Sequence, residues 1–341
     1  MPFEIRPHPA FSWSHTRDSA LSCMRRYYWQ FYGSHNGWLA PPDGSEEARL
    51  AYTLKQLTTL HLAAGTAIHE CARDCVLAVR NQDLLPNFGG MQARVIGLLR
   101  HVCRCSRDRE GFLRDPKHHP MLHSMWYRDG FDEIEVRAVR AKVDRCLYHL
   151  SESHLWRELP WYAPEEIVVI DKLDTVTVDG VTLYAAPDLV VTAGGEVEIT
   201  DWKTGKDDDL VRAQIALYAF YTSRKLGIPF DGERWRGRVV WLYDGADEAY
   251  ALTPRDLVQA EERMRSSVEY MRGYLEDAEE NRPKPLSAFP LIHRALRNQC
   301  PFCNYLALCE PEFGRARLDA YRESRADSAA VLEEVGAGLH T

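Results

Sequence analysis

The segment from residue 166 to residue 203 most constrains how this chain can fold. It contains short runs rich in Val, Ile and Thr at 167–170, 175–178, 181–184, 189–192 and 197–203, and such runs are typical of β-strands. Asp179-Gly180 and Gly194-Gly195 separate consecutive runs. Because dipeptides of this kind favour two-residue hairpin turns, the segment predicts antiparallel hairpins within a sheet.

Apolar residues at helical spacing lie on both sides of that segment. The spacing predicts helices at 48–80, 91–107, 131–155, 210–226 and 254–279, with a further strand at 238–243. Helices that flank a sheet predict an α/β fold. We expect an N-terminal segment (1–47), a mainly helical region that includes the His69 helix (48–163), a core (164–285), a cysteine-containing segment (286–313) and a helical or frayed tail (314–341).

The charge balance limits which partners the chain can bind. Its 341 residues include 42 Lys and Arg and 50 Asp and Glu, which gives a net charge of −8. Such a surface does not favour wrapping of a polyanion, so any nucleic-acid site must be local. Candidate basic positions are Arg17, Arg25, Arg26, Arg100, Arg104, Arg107, Arg109, Arg294 and Arg297, and the alternative favoured for each taken singly is a solvated arginine on a helix face.

The sequence also lacks several targeting and binding signals. It has no apolar run long enough to span a bilayer, and its N-terminus does not resemble a secretory signal. We therefore expect a cytoplasmic protein with no membrane partner, whose cysteines stay reduced. The sequence has no Gly-x4-Gly-Lys-Ser/Thr phosphate loop, so no nucleotide cofactor is expected.

Asp188, Asp201 and Lys203 are the residues of the predicted hairpin that can carry chemistry. Side chains alternate along a strand, so Asp201 and Lys203 point to the same side, and Asp188 on the partner strand lies beside them. Two carboxylates suit Mg²⁺ or Mn²⁺, which can activate water and polarise a phosphodiester. The alternative is a polar strand end before a Thr-Gly turn.

Three further residues favour the catalytic interpretation. His69 lies on the edge of a helix that is apolar on one side, although a lone histidine of this kind is more often a hydrogen-bonded, partly buried residue. Gln214 and Tyr218 are four residues apart on the helix after the strand, so they share a face. The order His, Asp, Asp-x-Lys, Gln-x3-Tyr is difficult to obtain by chance.

This order of residues resembles the RecB-like branch of the PD-(D/E)xK nuclease superfamily. The resemblance implies a restriction-endonuclease-like core, which is a mixed central sheet flanked by helices, with an inserted helical region between His69 and Asp188. It also implies that His69, Asp188 and Asp201 bind the divalent metal. The backbone carbonyl of Trp202 is implied as a further ligand.

The resemblance assigns roles to the remaining motif residues as well. Lys203 is expected to orient or activate the attacking water and to stabilise charge on the phosphate. Gln214 and Tyr218 match an additional motif of the branch, which contacts DNA or supports the lysine. Glu165 or Glu166 resembles the acidic residue that often precedes the sheet.

Cys300, Cys303 and Cys309 form a Cys-x2-Cys-x5-Cys pattern, and Cys23 lies alone near the N-terminus. Four thiolates can hold zinc or a [4Fe–4S] cluster if the two ends of the chain meet, and the absence of a second Cys-x2-Cys pair favours the cluster. The pattern resembles the iron–sulfur nucleases of the superfamily, such as the AddB nuclease domain and the exonucleases of CRISPR adaptation. That resemblance implies a structural [4Fe–4S] cluster on these four cysteines, with zinc as the alternative.

The other cysteines do not fit this pattern. Cys71, Cys75 and Cys146 lie on apolar helix faces and are predicted to be core residues. Cys103, Cys105, His118, His119 and His123 are the residues from which a second zinc site could be built, but they lack a recognised ligand spacing.

We therefore expect a metal-dependent DNA nuclease. The relatives imply an exonuclease that acts on the ends of single-stranded DNA, in DNA repair or recombination or in anti-phage or CRISPR-type processing, with a possible helicase or other protein subunit. The alternative is a catalytically inactive DNA-binding or scaffolding subunit with the same fold. Retention of Asp188, Asp201 and Lys203 argues against that alternative.

Overall fold

The computed structural model describes residues 5–39, 45–128, 130, 133–205 and 210–313. The predicted tail at 314–341 lies outside the described residues. Within the described ranges, no helix is both long and apolar enough to cross a membrane.

The strands form one large sheet and three small ones. In chain order they are β1 (Ser12–Ser14), β2 (Leu57–Thr58), β3 (Met121–Leu122), β4 (Ile167–Ile170), β5 (Asp174–Val178), β6 (Val181–Ala185), β7 (Leu189–Ala193), β8 (Glu196–Lys203), β9 (Trp235–Trp241), β10 (Ala246–Ala251), β11 (Leu275–Asp277) and β12 (Arg282–Pro283). The central sheet has the strand order β10-β9-β8-β7-β4. It is mixed, because β8 and β9 are parallel and the other neighbours are antiparallel.

The helices precede, follow and interrupt these strands. They are α1 (His15–Ser19), α2 (Met24–Tyr28), α3 (Glu46–Lys55), α4 (Leu60–Arg80), α5 (Phe88–Cys105), α6 (Arg109–Arg114), α7 (His123–Arg128), α8 (Glu133–Glu152), α9 (His154–Glu158), α10 (Leu210–Leu226), α11 (Pro254–Arg272) and α12 (Leu306–Phe313). One turn of π-helix, Trp29–Gly33, continues α2.

Both predicted hairpin turns are confirmed. Val178 pairs with Val181 and Ala193 pairs with Glu196, so each turn contains two residues. Asp179 and Gly180 have φ of 48° and 75°, and Gly194 and Gly195 have φ of 58° and 84°. Positive φ at both central residues is the conformation that the Asp-Gly and Gly-Gly dipeptides favour.

The two hairpins do not share a sheet, which corrects the expectation of a single sheet. β5 and β6 form a separate three-stranded sheet with β1, and β1 is parallel to β6. The three residues of β1 carry no strand signal of their own, and the sheet contact places Trp13 in the core at 2 % exposure. The N-terminal segment is therefore attached to the β-rich half of the chain.

Three predicted helices are shorter than expected. The helix expected at 48–80 is divided into α3 and α4, because Thr59 adopts an extended conformation and its side chain accepts a hydrogen bond from the Leu62 amide. Ser153 caps α9 in the same way and divides the helix expected at 131–155. The helix expected at 254–279 ends at Arg272, and β11 begins at Leu275. A capping side chain competes with continuation of the helix.

Apolar side chains cover both faces of the central sheet. On one face, Ile199 and Val239 pack with α10 and α11. On the other face, Trp202 and Val240 pack with α4, α5 and α8. Neighbouring residues of a strand thus enter different cores, as the alternation of strand side chains requires. This mixed α/β architecture is consistent with the restriction-endonuclease-like core that the sequence predicts.

Gly237 on β9 allows α10 to approach the sheet closely. A Cβ at this position would lie 2.8 Å from Ile215 Cγ2 and 2.8 Å from Tyr250 Cζ. We expect Gly237→Ala to lower the free energy of unfolding by roughly 1–3 kcal/mol, measured by urea denaturation, because a packed core resists added volume. The matched control is Gly97→Ala on the exposed face of α5, where no atom lies within 4 Å of the added Cβ.

Gly97→Ala should stabilise the protein by about 0.5–1 kcal/mol, since alanine is the better helix former. Equal effects of the two substitutions would contradict the close packing of α10 on β9.

Candidate active site

Asp188 and Asp201 lie side by side at the ends of two neighbouring strands. The antiparallel register pairs Leu189 with Thr200, so Asp188, which precedes β7, stands opposite Asp201 on β8. The Trp202 amide donates a hydrogen bond of 2.9 Å to Asp188 Oδ2. Both carboxylates are buried, with 6 % and 2 % exposure. The predicted pair of neighbouring acids is therefore present.

Lys203 connects this pair to helix α10. Its Nζ lies 2.7 Å from Asp201 Oδ2 and donates a hydrogen bond of 2.9 Å to Gln214 Oε1. Gln214 Nε2 in turn donates to the Tyr218 hydroxyl at 2.8 Å. The acid, the lysine, the amide and the phenol thus form one continuous chain of polar contacts, and the two residues of α10 share the face that the sequence predicts.

His69 reaches the same place from α4. Its Nδ1 lies 3.6 Å from Asp188 Oδ1, and its ring is edge-on to the Trp202 indole at 6.2 Å. One turn earlier, Gly65 brings α4 close to the loop after β8, since a Cβ there would lie 3.1 Å from Thr204 Oγ1. The absence of a side chain at Gly65 helps to explain why a histidine on this helix can contact an acid on the sheet.

Burial and mutual repulsion shape the titration of the site. Burial raises the pKa of Asp201, and the charge of Asp188 adds to this, whereas Lys203 and His69 act in the opposite direction. Burial by itself lowers the pKa of His69, but its contact with Asp188 and the charges of both aspartates overcome that effect and raise the pKa. A pocket with two buried carboxylates attracts positive charge.

Asp171 is a further acid beside the site, and the sequence reasoning missed it. It follows β4, and its backbone amide donates to the Asp188 carbonyl at 2.9 Å. Burial raises the pKa of Asp171, as does the nearby charge of Asp188. Arg73 on α4 partly balances it at 3.6 Å. The signal in the sequence is an acid directly after the apolar run 167–170. Because β4 and β7 are antiparallel, the end of β4 lies beside the start of β7, where Asp188 stands.

Glu165 and Glu166, the acidic residues that precede the sheet, lie away from the Asp188 and Asp201 carboxylates. Glu166 Oε2 accepts a hydrogen bond of 2.8 Å from the Ala163 amide, so it caps its own turn. Glu165 is exposed. In the described part of the chain, neither residue forms a hydrogen bond or an ion pair with Asp188 or Asp201, whereas Asp171 lies beside the site after the first strand of the sheet.

The predicted metal ligands are near one another but do not form a closed ligand set. In the described part of the chain, no group of three or more His, Cys, Asp and Glu side chains could hold a metal ion as placed. Asp201 Oδ2 is nevertheless buried without a hydrogen bond of good geometry, its contact being the ion pair with Lys203. Two carboxylates and an imidazole are suitable donors for a divalent ion, so the donor chemistry of His69, Asp188 and Asp201 fits.

A groove opens directly beside Lys203 and Gln214. It has a volume of about 640 Å³, and the N-terminal segment supplies one wall. The groove is lined by His15, Asp18, Ser19, Leu21, Ser22, Lys203, Gly205, Leu210, Val211, Gln214, Trp241 and Arg263. Lys203 and Gln214 therefore face a groove between the N-terminal segment and helix α10.

The two ends of the described chain meet at the cysteines. Cys23, Cys300, Cys303 and Cys309 line one small pocket, together with Arg26 and apolar side chains. Burial raises the pKa of Cys303 to about 11 and that of Cys309 to about 12. The structure thus brings together the four cysteines that the sequence pattern groups, although they are not arranged as a closed ligand set.

Contacts from the helical region also hold this cysteine segment. The Tyr127 hydroxyl donates to the Asn304 carbonyl at 2.6 Å and accepts from the Ala307 amide at 3.3 Å. Asn304 Nδ2 donates to the Leu57 carbonyl at 2.8 Å. The segment is therefore attached to the helical region as well as to the N-terminus.

The other cysteines lie where the sequence predicts or have different partners. Cys71, Cys75 and Cys146 are buried in the core beneath the sheet. Cys103, Cys105 and the nearby histidines do not form a second zinc site among the described residues. His118 contacts Asp115 at 3.0 Å, and His119 contacts the Cys105 carbonyl at 2.9 Å.

Two of the candidate DNA-binding arginines are structural instead. Arg17 and Arg25 are each 6 % exposed. The Arg17 guanidinium donates to the hydroxyls of Tyr27 and Tyr32, at 3.2 and 2.6 Å, and Arg25 Nε donates to the Phe289 carbonyl at 2.9 Å. Their burial and these protein partners leave neither guanidinium group exposed to a phosphate, so the structure does not support these two candidates.

Comparison with known proteins identifies the family of the chain. No curated protein matches the chain. A family model described as the PD-(D/E)XK nuclease superfamily matches residues 12–310, a span that contains the acids, the lysine and the four cysteines discussed above. Its members are nucleases, hydrolases that typically use Mg²⁺ or Mn²⁺. The chain belongs to the PD-(D/E)XK nuclease superfamily.

Proposed function

We propose that this protein is a metal-dependent deoxyribonuclease of the RecB-like branch, which degrades single-stranded DNA from an end. One observation carries the proposal: Asp188 and Asp201 are buried opposite each other, and Lys203 lies 2.7 Å from Asp201 Oδ2. Two acids and a lysine at one point supply metal ligands and a cation for the phosphate. Burial of charged groups costs free energy, so a buried cluster of this kind is more readily explained by a catalytic use than by a contribution to stability.

Each residue has a defined task in this proposal. His69, Asp188 and Asp201, with the carbonyl of Trp202, would hold the Mg²⁺ or Mn²⁺ ion, which supplies an activated water and polarises the phosphate when bound. Lys203 orients the attacking water and stabilises charge that develops on the phosphate.

The two residues on α10 keep the lysine in place. Gln214 accepts a hydrogen bond from Lys203, and Tyr218 accepts one from Gln214. This chain of contacts fixes the ammonium group without adding charge to the pocket. Placement of this kind is effective because the hydrogen-bonding groups need not reorganise during the reaction.

The groove beside Lys203 supports an unpaired substrate. Its volume of about 640 Å³ is within the range of small-molecule pockets. A groove of that volume has room for a ligand of about the size of a nucleotide. An end-directed nuclease that acts on single strands requires unwinding of duplex DNA, so a helicase or another protein subunit is a suitable partner in repair, recombination or defence against foreign DNA.

Lys203→Ala and Asp201→Asn are expected to lower the rate of hydrolysis by about 100-fold or more, because each removes charge that acts in the transition state. The measurement is single-turnover cleavage of end-labelled single-stranded DNA with Mg²⁺ or Mn²⁺. Lys172→Ala is the matched control, since Lys172 is an exposed lysine close to the site in sequence. It should keep the wild-type rate.

A second candidate function is a DNA-binding or scaffolding subunit without activity. It predicts that the wild-type protein cleaves DNA no faster than Lys203→Ala while it still binds the strand. Comparable rates for the wild type, Lys203→Ala and Asp201→Asn, with each metal tested, would favour that function over ours.

We further propose that Cys23, Cys300, Cys303 and Cys309 hold a structural [4Fe–4S] cluster. Their shared pocket is lined by apolar side chains and by Arg26, a setting that suits a cluster bound by four thiolates. A cytoplasmic location, in which thiols stay reduced, agrees with this function. Zinc is the alternative for the same four ligands.

Cys303→Ser is expected to abolish the iron–sulfur absorption of anaerobically purified protein and to lower its thermal stability, because the cluster joins the two ends of the described chain. Iron and zinc content and the visible spectrum are the measurements. Cys105→Ser is the control and should keep both iron and colour. Colourless wild-type protein that contains stoichiometric zinc would instead support the zinc alternative.

A further inference from the structure

A second cavity lies apart from the groove beside Lys203. It has a volume of about 420 Å³ and shares no lining residue with that groove. Three stretches of the chain form it: the N-terminal segment, helix α3 and the loop after α6. Its lining is Arg6, Gly37, Trp38, Arg49, Tyr52, Thr53, Arg114, Asp115, Pro116, Lys117 and His118.

The cavity concentrates positive charge in an acidic protein. Arg6, Arg49, Arg114 and Lys117 line it, and none of them forms an ion pair with a carboxylate in the described part of the chain. The acid among the lining residues, Asp115, contacts His118 at 3.0 Å. No carboxylate of the described residues therefore competes with a ligand for these four side chains. Because the whole chain carries −8, a local excess of cations is the arrangement that an anion site requires.

Two aromatic side chains complete the cavity. Trp38 and Tyr52 are half-buried and meet edge-to-face, with ring centroids 6.1 Å apart. Part of each ring surface remains accessible. An accessible aromatic ring beside cations suits a nucleotide, since the base can stack while the phosphate is neutralised.

The walls of the cavity are held by local structure. The backbone of Arg6 exchanges two hydrogen bonds of 3.0 Å with the Asn36 amide. A Cβ at Gly37 would clash with the Ala48 carbonyl, so glycine allows this loop to touch α3. Arg49 donates to the Leu113 carbonyl at 3.5 Å and links α3 to α6. The cavity is therefore a built feature and not a chance gap between mobile side chains.

We propose that this cavity binds a phosphorylated nucleoside of an unpaired DNA strand, as a second contact site outside the active site. The identity of the strand rests on the proposed nuclease function, whereas the preference for a nucleotide rests on the cations and rings of the cavity. Such a site adds affinity for strands long enough to reach both places. It has no part in hydrolysis of short oligonucleotides.

The test uses the double variant Arg114→Ala/Lys117→Ala, in which both substituted side chains are exposed. Binding of a labelled long single strand is measured by fluorescence anisotropy, without divalent ions, over a range of salt concentrations. We expect roughly tenfold weaker binding. The slope of the logarithm of the binding constant against the logarithm of the salt concentration should fall in magnitude by about 1.4, because each neutralised phosphate of a single strand contributes about 0.7. Cleavage of a short oligonucleotide should be unchanged.

Two controls separate charge from folding. Arg137→Ala removes an exposed charge from α8, outside the cavity, and should bind as the wild type does. The swap Arg114→Lys/Lys117→Arg keeps the charge and should restore both affinity and slope. Wild-type affinity and slope in the double alanine variant would overturn the proposal.

A further arm distinguishes a strand from a free nucleotide. Deoxynucleoside monophosphate is titrated into wild-type and variant protein. If the variant loses only mononucleotide binding and holds the strand normally, the cavity is a free-nucleotide site and the strand proposal is overturned. Protein that binds the strand through the cavity but does not hydrolyse it would contradict the proposed nuclease function and leave this inference intact.

Discussion

The antiparallel register of β7 on β8 is the constraint on which the candidate site depends. Pairing of Leu189 with Thr200 sets Asp188 opposite Asp201. A slip of one residue would turn either acid to the other face of the sheet, where α4, α5 and α8 pack. The two-residue turn at Gly194-Gly195 fixes that register, because its positive φ values suit the twist of a tight hairpin.

The site also depends on how its charges are balanced. Two buried carboxylates repel each other, and burial opposes the charge on both. Lys203, His69 and the Trp202 amide offset that cost from different elements. Membership of the PD-(D/E)XK nuclease superfamily gives this arrangement a chemical meaning, since these nucleases typically bind a divalent cation. A cluster with excess negative charge suits such an ion.

The N-terminal segment connects the separate parts of the molecule. It adds β1 to a sheet with β6, supplies one wall of the groove beside Lys203, and brings Cys23 to the cysteines near the C-terminal end. It also contributes Arg6 and Trp38 to the second cavity, here called the basic cavity because Arg6, Arg49, Arg114 and Lys117 line it. Contacts made by one segment thus help to form the groove beside Lys203, the pocket of the four cysteines and the second cavity. The buried Arg17, held by the hydroxyls of Tyr27 and Tyr32, stabilises this segment.

The sequence alone determined the features that depend on local rules. The alternation of residues 166–203, the two turns and the order of Asp188, Asp201 and Lys203 follow from short-range stereochemistry, and the structure contains them. Only the tertiary structure decided that Asp171 lies beside Asp188, that β1 joins β6, and that the four cations of the basic cavity come together. Each of these contacts joins residues that are distant in the chain. The sequence around one residue does not indicate which residue it will contact, because the packing of whole helices and strands decides which distant residues meet.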